Sequence, residues 1–371
     1  MDVQLATEAE SINYERKIIE LSGHKTIPFD ILVMATGTKA IRPDLPGSRR
    51  PGVFTLKNLE DAINIKAYLQ EKKCRKALFI GAGFIAMEMS EALRGIGIQT
   101  TVFNIEQLPA NRWDPELSKL ILEELKTNGV DFVPGVETTA IESGKDSLLC
   151  AVTNQGRWEA DLILFAIGVR PNVDLAKAMG LAIGKSGAVA VNHLQQTSMD
   201  NVYAVGDCCE SYHRVSKRRI NIPLGDIANK QGRVAGRNIG GQPLAFPGIV
   251  GAQSFRLFNL EVAATGIDEK EAIAANYNPV SALVWGNAIA GSLGQKKIGL
   301  KLVADKVSGK LLGAQAVGSA GAVGRINALS VALWAGLSID EVGYLDLAYS
   351  PPYSGSWDII HNAAQTLRRA M

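Results

Sequence analysis

A glycine-rich turn between an apolar run and a helix-forming stretch carries the most specific chemical pattern in the sequence. Gly81 and Gly83 follow the run 77–80, and Ala86 fills the third small position of a G-x-G-x-x-A spacing. The first glycine permits a tight turn, the second lets a pyrophosphate approach the backbone, and the small third residue keeps helix and strand close. The first amides of the helix present the positive end of its dipole to phosphates. The pattern predicts a dinucleotide site at Gly81, Gly83, Phe84 and Ile85.

A merely structural glycine turn is the alternative, and the strand before and helix after favour binding. The end of the next predicted strand bears on the choice of coenzyme. An acid is expected about 20 residues after the glycines, where it binds the ribose hydroxyls. Asn104 stands there, with Glu106 two residues later. Asparagine can hydrogen-bond a hydroxyl without repelling a 2′-phosphate, and Arg112 is near enough in sequence to contact one. NADH is slightly favoured over NADPH, and both stay open.

Size and composition limit the kind of protein. The 371 residues suggest two or three domains, and an apolar fraction of 47% supports a sizeable core. A net charge of +2 gives no reason to expect nucleic acid or a membrane as a partner, and the short basic run 217–219 is interpreted as a solvated loop. The four cysteines show no CxxC spacing, no signal-peptide pattern is present and no apolar run reaches a membrane span. A cytoplasmic location is expected.

Hydrophobic periodicity predicts the elements that position these residues. Residues 1–30 are predicted to form a β-meander, and the apolar run 29–37 a buried parallel strand. A strand-turn-helix-strand unit follows over 77–103. Beyond residue 246 short β-like runs precede a long helix, which indicates a separate α+β domain. Further helices are predicted at 57–72, 114–128, 226–239 and 321–336, and further strands at 131–134, 149–153, 161–168 and 203–207.

Four motifs occur in an order that resembles the pyridine nucleotide–disulfide oxidoreductases. They are Ala35-Thr36-Gly37, the turn at Gly81, the segment 166–172 (AIGVRPN) and the segment 203–208 (YAVGDC). In that family the nicotinamide domain is inserted into the flavin domain. The resemblance implies an α/β fold of two nested Rossmann-like dinucleotide-binding domains, the first incomplete, followed by an α+β dimerisation domain. The expected domains are a partial FAD-binding domain (1–72), an NAD(P)-binding Rossmann domain (73–190), an FAD-binding return segment (191–245) and a dimerisation domain (246–371).

The resemblance also assigns roles to residues, with FAD and NAD(P)H as cofactors. Asp207 would accept a hydrogen bond from a ribityl hydroxyl of FAD, and Gly206 would allow close approach. Thr36 and Gly37 would line the FAD pyrophosphate. An aspartate that caps the following turn is the alternative for Asp207, and a solvated helix residue is the alternative for Glu88. Glu88, Gly168 and Val169 would lie near the nicotinamide.

The segment 346–354 (DLAYSPPYS) narrows the resemblance to one branch. It has no histidine of the glutathione-reductase type, and it is similar to the coenzyme A–disulfide reductase, NADH oxidase and persulfide reductase branch. In that branch a tyrosine reaches across a homodimer formed through the C-terminal domain. Tyr349 is the first candidate for this catalytic group and Tyr353 the second, since a phenol can donate a proton to a leaving thiolate. Plain packing at the interface is the alternative.

The family begins with a strand, glycine-rich turn and helix for the ADP half of FAD, and this branch then has a redox cysteine. Neither precedes Ala35, so the sequence is expected to lack that N-terminal segment. Cys208 and Cys209 are predicted to be buried free thiols. The predicted function is FAD-dependent NAD(P)H oxidoreduction with a disulfide, persulfide or oxygen as acceptor, impaired by this absence. A non-catalytic NAD(H)-binding, dimerising remnant is the alternative. A flavin-free dehydrogenase is disfavoured because no catalytic group stands near the glycine turn.

Overall fold

The computed structural model describes residues 2–371, and its elements follow the predicted order. The first strands are β1 (Ala9–Asn13), β2 (Ile18–Leu21), β3 (Lys25–Pro28), β4 (Leu32–Met34), β5 (Thr38–Ala40), β6 (Val53–Thr55), β7 (Lys76–Ile80), β8 (Gln99–Asn104), β9 (Val130–Pro134), β10 (Thr138–Ser143) and β11 (Leu149–Thr153). The later strands are β12 (Gly156–Ala160), β13 (Leu162–Phe165), β14 (Val169–Pro171), β15 (Val202–Ala204), β16 (Ser211–His213), β17 (Arg218–Ile220), β18 (Gln253–Leu257), β19 (Leu260–Gly266), β20 (Pro279–Asn287), β21 (Lys297–Asp305) and β22 (Leu311–Gly318). The helices are α1 (Leu59–Lys72), α2 (Phe84–Gly95), α3 (Pro115–Thr127), α4 (Asp174–Met179), α5 (Gly225–Ile239), α6 (Glu269–Ala274), α7 (Ala322–Ala335), α8 (Ile339–Val342) and α9 (Ile359–Ala370).

These elements form two compact units, each built from two separate stretches of the chain. The first unit runs to Lys39 and resumes over Val169–Ile249, and the second comprises Ala40–Gly168 and Val250–Met371. The α/β class is confirmed: the middle of the chain forms a parallel sheet with connecting helices, and the C-terminal part forms an antiparallel sheet with helices. The divisions differ from the four domains expected from the sequence, because β6 pairs with β13 of the second unit. Those four domains stay a prediction.

The second unit contains the strand-turn-helix-strand pattern around the glycine turn. Its parallel sheet has the order β6-β13-β7-β8-β9, and α2 connects β7 to β8. Phe79 and Val102 at the sheet centre are fully buried, as expected for parallel strands covered on both faces. Helix α3 begins at Pro115, a favoured residue at a helix's first position, and buries Leu117, Ile121 and Leu125 along one stripe. The predicted helices at 57–72 and 114–128 and the predicted parallel strands at 77–80, 99–103 and 131–134 are confirmed. The predicted strand at 149–153 is present, but it lies in the separate antiparallel sheet β10-β11-β12 and does not continue the parallel sheet.

The C-terminal part of the same unit is an antiparallel sheet with helices. Its order is β18-β19-β22-β21-β20, and α7, α8 and α9 follow in the chain. Strand β22 is buried along its whole length, and α9 buries Ile360, Ala364 and Leu367. No helix among residues 2–371 is long and apolar enough to span a bilayer. Within the same residues, no group of three or more His, Cys, Asp or Glu side chains could hold a metal ion.

The first unit contains the predicted meander as the antiparallel sheet β1-β2-β3, together with shorter ladders. Strand β4 pairs in parallel with β15, with Leu32 opposite Val202 and Met34 opposite Ala204. The prediction that this run forms a parallel strand is confirmed, and the prediction that it is buried is wrong. Leu32 and Met34 are buried, whereas Val33 is 42% exposed. The sheet has two strands, and one face of β4 packs into a core cluster while the other is open.

A buried lysine joins the parallel-sheet part of the second unit to its C-terminal part. Lys301 Nζ lies 2.5 Å from Asp114 Oδ2 and 3.0 Å from Glu269 Oε2. Burial by itself lowers the pKa of Lys301, but hydrogen bonds and charges from both carboxylates outweigh it, so the pKa is raised. The stabilisation is therefore fully present below the pKa of an unfolded lysine, about 10.4, and is lost as the pH rises through the higher folded value.

Lys301→Met is expected to lower the free energy of unfolding at neutral pH by about 1–3 kcal/mol, because two carboxylates lose their cation. The variant should also lose less stability than the parent above about pH 10, where the parent's lysine deprotonates. Urea unfolding across this range measures both effects. Lys297→Met, at an exposed position of the same strand, is the control. Equal alkaline slopes for the parent and Lys301→Met would contradict the assignment.

Candidate cofactor sites

The turn after β7 has the geometry that its glycines predict. Gly81 has φ +104°, a conformation that disfavours any residue with a Cβ. A Cβ there would lie 2.5 Å from the backbone oxygen of Ala166, so the approach of the neighbouring strand end also requires glycine. The Gly81 amide donates to the oxygen of Phe103 at 2.9 Å, which fixes the turn against β8. The turn therefore packs directly against the ends of the two neighbouring strands, β13 and β8.

Helix α2 begins at this turn with its first amides uncapped. Gly83 is the N-cap residue, it is exposed, and no side chain accepts a hydrogen bond at this end of the helix. A Cβ at Gly83 would meet only the oxygen of Ala166, at 3.9 Å, so there is room above the backbone. Ala86 is fully buried against the sheet, as the third small position requires. The helix end has the free donors and open space that a pyrophosphate needs.

The side chains that follow Gly83 face protein. The Phe84 ring packs on Trp113 and Phe255, with centroid distances of 5.6 and 5.2 Å. Ile85 is half-buried against the same core cluster. What these two residues can offer to a dinucleotide is therefore their backbone. Their cofactor role remains a prediction.

Asn104 and Arg112, which bear on the coenzyme, are held differently. Asn104 Nδ2 donates one of its two N–H groups to the backbone oxygen of Leu108 at 2.8 Å, which leaves Oδ1 and the second N–H for a ligand. Arg112 Nη1 lies 3.0 Å from Glu271 Oε2, and its Nη2 donates to the Gly266 oxygen at 2.9 Å. Arg112 therefore lies at the N-terminal end of α6, where it pairs with the carboxylates of Asp268 and Glu271. The sequence-based interpretation of Arg112 as a phosphate contact is not supported by this geometry.

Glu88 and Gly168 complete the predicted nicotinamide side. Glu88 is an exposed residue of α2. Partial burial of its carboxyl group raises the pKa of that group, and the negative charge of Glu91 is the second cause. Gly168 has φ +102°, and a Cβ there would meet only Ile41 Cδ1, at 4.0 Å. Its oxygen accepts from the Ile41 amide at 3.0 Å. Val169 begins β14, where the chain enters the first unit.

In the first unit, the pairing of β4 with β15 brings two predicted flavin motifs to one sheet edge. Both strands run in the same direction, so Thr36-Gly37 and Gly206-Asp207 follow their carboxyl ends together. Ligands of open α/β sheets bind at this edge. Thr38 Oγ1 donates to Asp207 Oδ2 at 3.4 Å, and Thr38 is buried. A half-buried carboxylate is therefore held at the predicted site.

Asn172, which the sequence motif contains without a role, braces the Thr36-Gly37 segment. The backbone oxygen of Asn172 accepts from Thr36 Oγ1 at 2.6 Å, and its backbone N–H donates to the backbone oxygen of Gly37 at 2.9 Å. Gly37 has φ +66°, and a Cβ there would meet nothing within 4 Å. The Thr36 hydroxyl proton is thus used within the protein, and Gly37 offers open backbone for a phosphate-bearing ligand.

The predicted catalytic tyrosines lie on a segment tied down by its backbone. Tyr349 and Tyr353 are 57% and 74% exposed. Arg325 Nη2 donates to the backbone oxygen of Tyr353 at 3.2 Å and to Asp358 Oδ2 at 2.7 Å. The Arg325–Asp358 ion pair is buried. The sequence does not predict this pair, because its one signal is a charged residue, Arg325, within the apolar pattern of a helix. The segment is anchored while both phenols stay accessible in the single chain.

The cysteines are in protected places. Cys208 and Cys209 are buried free thiols, as predicted, and Cys150 is also buried. Burial raises the pKa of Cys209, with the neighbouring Cys208 as the next cause. Burial, with Asp161 second, raises the pKa of the half-buried Cys74 to about 11. A thiolate is the reactive form of cysteine, so Cys74 and Cys209 do not have the surroundings of a redox nucleophile.

Together, the uncapped start of α2 in the second unit and the strand ends of β4 and β15 in the first unit have the form of two dinucleotide-type sites. Family comparison agrees: the pyridine nucleotide-disulphide oxidoreductase model matches residues 1–232, and the dimerisation-domain model of the same family matches residues 252–359. The chain belongs to the pyridine nucleotide-disulphide oxidoreductase family, whose members depend on FAD and NAD(P)H.

Individual relatives fall within the predicted branch. The NAD(P)H sulfur oxidoreductase (CoA-dependent) of Pyrococcus furiosus is 35% identical over 99% of this chain and 83% of its own length. The NAD-dependent persulfide reductase of A. fulgidus is similar in structure, with a TM-score of 0.93 and 36% identity over 98% of this chain and 68% of that chain. Reduced CoADR-RHD of Bacillus anthracis is also similar in structure, with a TM-score of 0.92 and 33% identity. The match covers 98% of this chain and 66% of that chain.

Proposed function

We propose that this chain is an FAD-dependent NAD(P)H oxidoreductase that passes electrons to a disulfide, a persulfide or oxygen. The observation that carries the proposal is the presence of two different dinucleotide-type sites in one chain. One is the uncapped start of α2 after the Gly81 turn, and the other is the sheet edge that presents Gly206-Asp207 beside Thr36-Gly37. Relatives named for NAD(P)H-dependent sulfur and persulfide reduction support the class of acceptor.

The residues of the first unit fit a flavin nucleotide. Asp207 would accept a hydrogen bond from a ribityl hydroxyl, with Thr38 Oγ1 holding its carboxylate at 3.4 Å. Gly206 has φ +76° and no Cβ, so backbone and ligand can approach closely. Gly37 would face the pyrophosphate. A bound flavin would supply hydride acceptance from the nicotinamide and electron transfer to the acceptor.

The second unit would bind the nicotinamide dinucleotide, with NADH preferred. Gly81, Gly83 and the first backbone amides of α2 would receive the pyrophosphate, and Glu88, Gly168 and Val169 would lie near the nicotinamide. Asn104 Oδ1 can accept a hydrogen bond from a ribose hydroxyl, and Nδ2 spends one of its two N–H donors on the backbone oxygen of Leu108. Arg112 is paired with Glu271 and so is not the cation for a 2′-phosphate.

The acceptor side would use the C-terminal domain of a homodimer. Tyr349 is the proposed proton donor to a leaving thiolate and Tyr353 the second candidate, since both hydroxyls are accessible on an anchored segment. A thiol nucleophile for this step is not provided within residues 2–371, where the cysteines are buried or half-buried. That observation favours a second candidate function, a dimerising NAD(H)-binding protein without turnover.

Titration of the purified chain with FAD, followed by NADH oxidation with a disulfide, a persulfide or oxygen, separates the two functions. The first predicts a perturbed flavin absorption spectrum and acceptor-dependent NADH oxidation. NADH binding in calorimetry without flavin binding or turnover would instead support the second.

Asp207→Ala is expected to weaken FAD binding by about tenfold to a hundredfold, because a charge-assisted hydrogen bond is lost. NADH affinity should not change, since Gly81 and Gly83 are untouched. Asp174→Ala is the matched control, because that aspartate is exposed in the same unit and pairs with Lys39 at 2.7 Å. Equal FAD affinities for the two variants would refute the role assigned to Asp207.

A further inference from the structure

A buried glutamine lies directly behind the proposed flavin turn. Gln231 is on α5 and is 0% exposed. Its Oε1 accepts from the Gly206 amide at 2.8 Å, and its Nε2 donates to Ser211 Oγ at 2.9 Å. Cys209 Sγ lies 3.5 Å from the same Oε1. Both ends of the glutamine amide are therefore used, and one of them fixes the glycine whose left-handed backbone shapes the turn.

A second amide holds the turn from another direction. Asn221 Nδ2 donates to the backbone oxygens of Asp207 and Cys209, at 2.9 and 3.1 Å. Helix α5 itself is close, since a Cβ on Gly206 would lie 3.3 Å from Ala228 Cβ. The turn 206–209 is thus fixed by side-chain hydrogen bonds at Gly206, Asp207 and Cys209. These bonds set the direction in which the Asp207 side chain leaves the backbone.

The position of Gln231 argues for a purpose other than stability. It falls on the buried stripe of α5 with Ile227 and Val234, where an apolar residue would pack without polar atoms to satisfy. A buried amide contributes little net stability, and it costs free energy if either end loses its partner. Its distinctive contribution is geometric, because it ties a helix to the backbone of one turn.

We propose that Gln231 and Asn221 form a clamp that positions the turn 206–209 for the ribityl chain of a bound flavin. Both are positioning residues, since they act through Gly206 and Asp207 rather than by touching the ligand. This inference rests on the proposed flavin site. A turn held in its bound geometry does not have to be ordered during binding, so the clamp raises flavin affinity.

The test compares Gln231→Met, which keeps the size and removes both hydrogen bonds, with Asn238→Leu. Asn238 is a partly buried amide on the same helix, and it bonds to Leu194, Val234 and Leu244 away from the turn. FAD dissociation constants are measured well below the melting temperature of each apo variant. Gln231→Met is expected to weaken FAD binding about tenfold, and Asn238→Leu to leave it unchanged. Gln231→Glu retains an acceptor for the Gly206 amide and should restore most of the affinity.

Amide hydrogen exchange of the apo protein gives a readout that does not depend on flavin. Exchange at 206–209 should accelerate in Gln231→Met and not in Asn238→Leu. Equal FAD affinities and equal exchange in both variants would overturn the clamp. Faster exchange in Gln231→Met, in a chain whose parent form fails to bind FAD, would uphold the clamp on the turn and reject the flavin site instead.

Discussion

Replacement of Gly81 by alanine is expected to weaken NADH binding by about a hundredfold, which corresponds to about 2.7 kcal/mol. Alanine at φ +104° is strained by about 1–3 kcal/mol, and its Cβ would lie 2.5 Å from the Ala166 oxygen. The backbone must therefore shift, and the shift is expected to move the first amides of α2 away from the proposed pyrophosphate position. Calorimetric or fluorescence titration with NADH measures the effect.

Gly95→Ala is the control for this substitution. Gly95 is the last residue of α2, and a Cβ there would meet nothing within 4 Å. NADH affinity should stay at the parent value, and the free energy of unfolding should rise by a few tenths to about 1 kcal/mol because the unfolded chain loses entropy. An unchanged NADH affinity in Gly81→Ala would rule out the turn as the nucleotide site.

The second large effect is expected from Asp358→Ala, which should lower the free energy of unfolding by about 3–5 kcal/mol. Arg325 is 8% exposed, and its Nε and Nη2 donate to the two oxygens of Asp358 at 3.1 and 2.7 Å. The variant leaves this guanidinium buried without its carboxylate. It also removes the acceptor for the Ile360 amide at the start of α9. Thermal unfolding should shift by about 10 °C, given roughly 2–4 °C per kcal/mol for a unit of this size.

Asp340→Ala provides the comparison within the same domain. Asp340 pairs with Arg368 at 2.9 Å, but both side chains are more than half exposed, so the loss should stay below about 1 kcal/mol. The double variant Arg325→Met/Asp358→Leu should recover much of the lost stability, since apolar residues can replace a buried ion pair. If Asp358→Ala and Asp340→Ala melted at the same temperature, the buried pair would not be a major support of this domain.

Local pattern was enough to predict elements whose neighbours in space are also neighbours in sequence. The unit β7-α2-β8 was predicted within one residue at each end, because strand, glycine turn and helix carry their own signals. Strand β6 was missed because three residues carry too little periodicity, and its pairing with β13 depends on a contact across more than a hundred residues. Helix α9 was also missed, although an aspartate cap precedes it.

The site residues divide in the same way. Gly81 and Gly83 follow from backbone requirements that are visible in sequence, whereas Asn172, Arg325 and Gln231 act through partners far away in the chain. Gln231 left one signal, a polar residue in phase with the apolar stripe of α5. The exposure of Val33 was predicted wrongly because an apolar run does not reveal how many strands will flank it.

The interleaved units have a consequence for how the chain folds during synthesis. Strand β4 pairs with β15, and the second unit joins residues before 168 to residues after 250. Closing such long loops costs little extra equilibrium stability, because the entropy grows only with the logarithm of loop length. Contacts of this separation nevertheless raise the contact order and slow folding. The edge that carries Gly206 and Asp207 therefore cannot form until residues 202–207 have been synthesised.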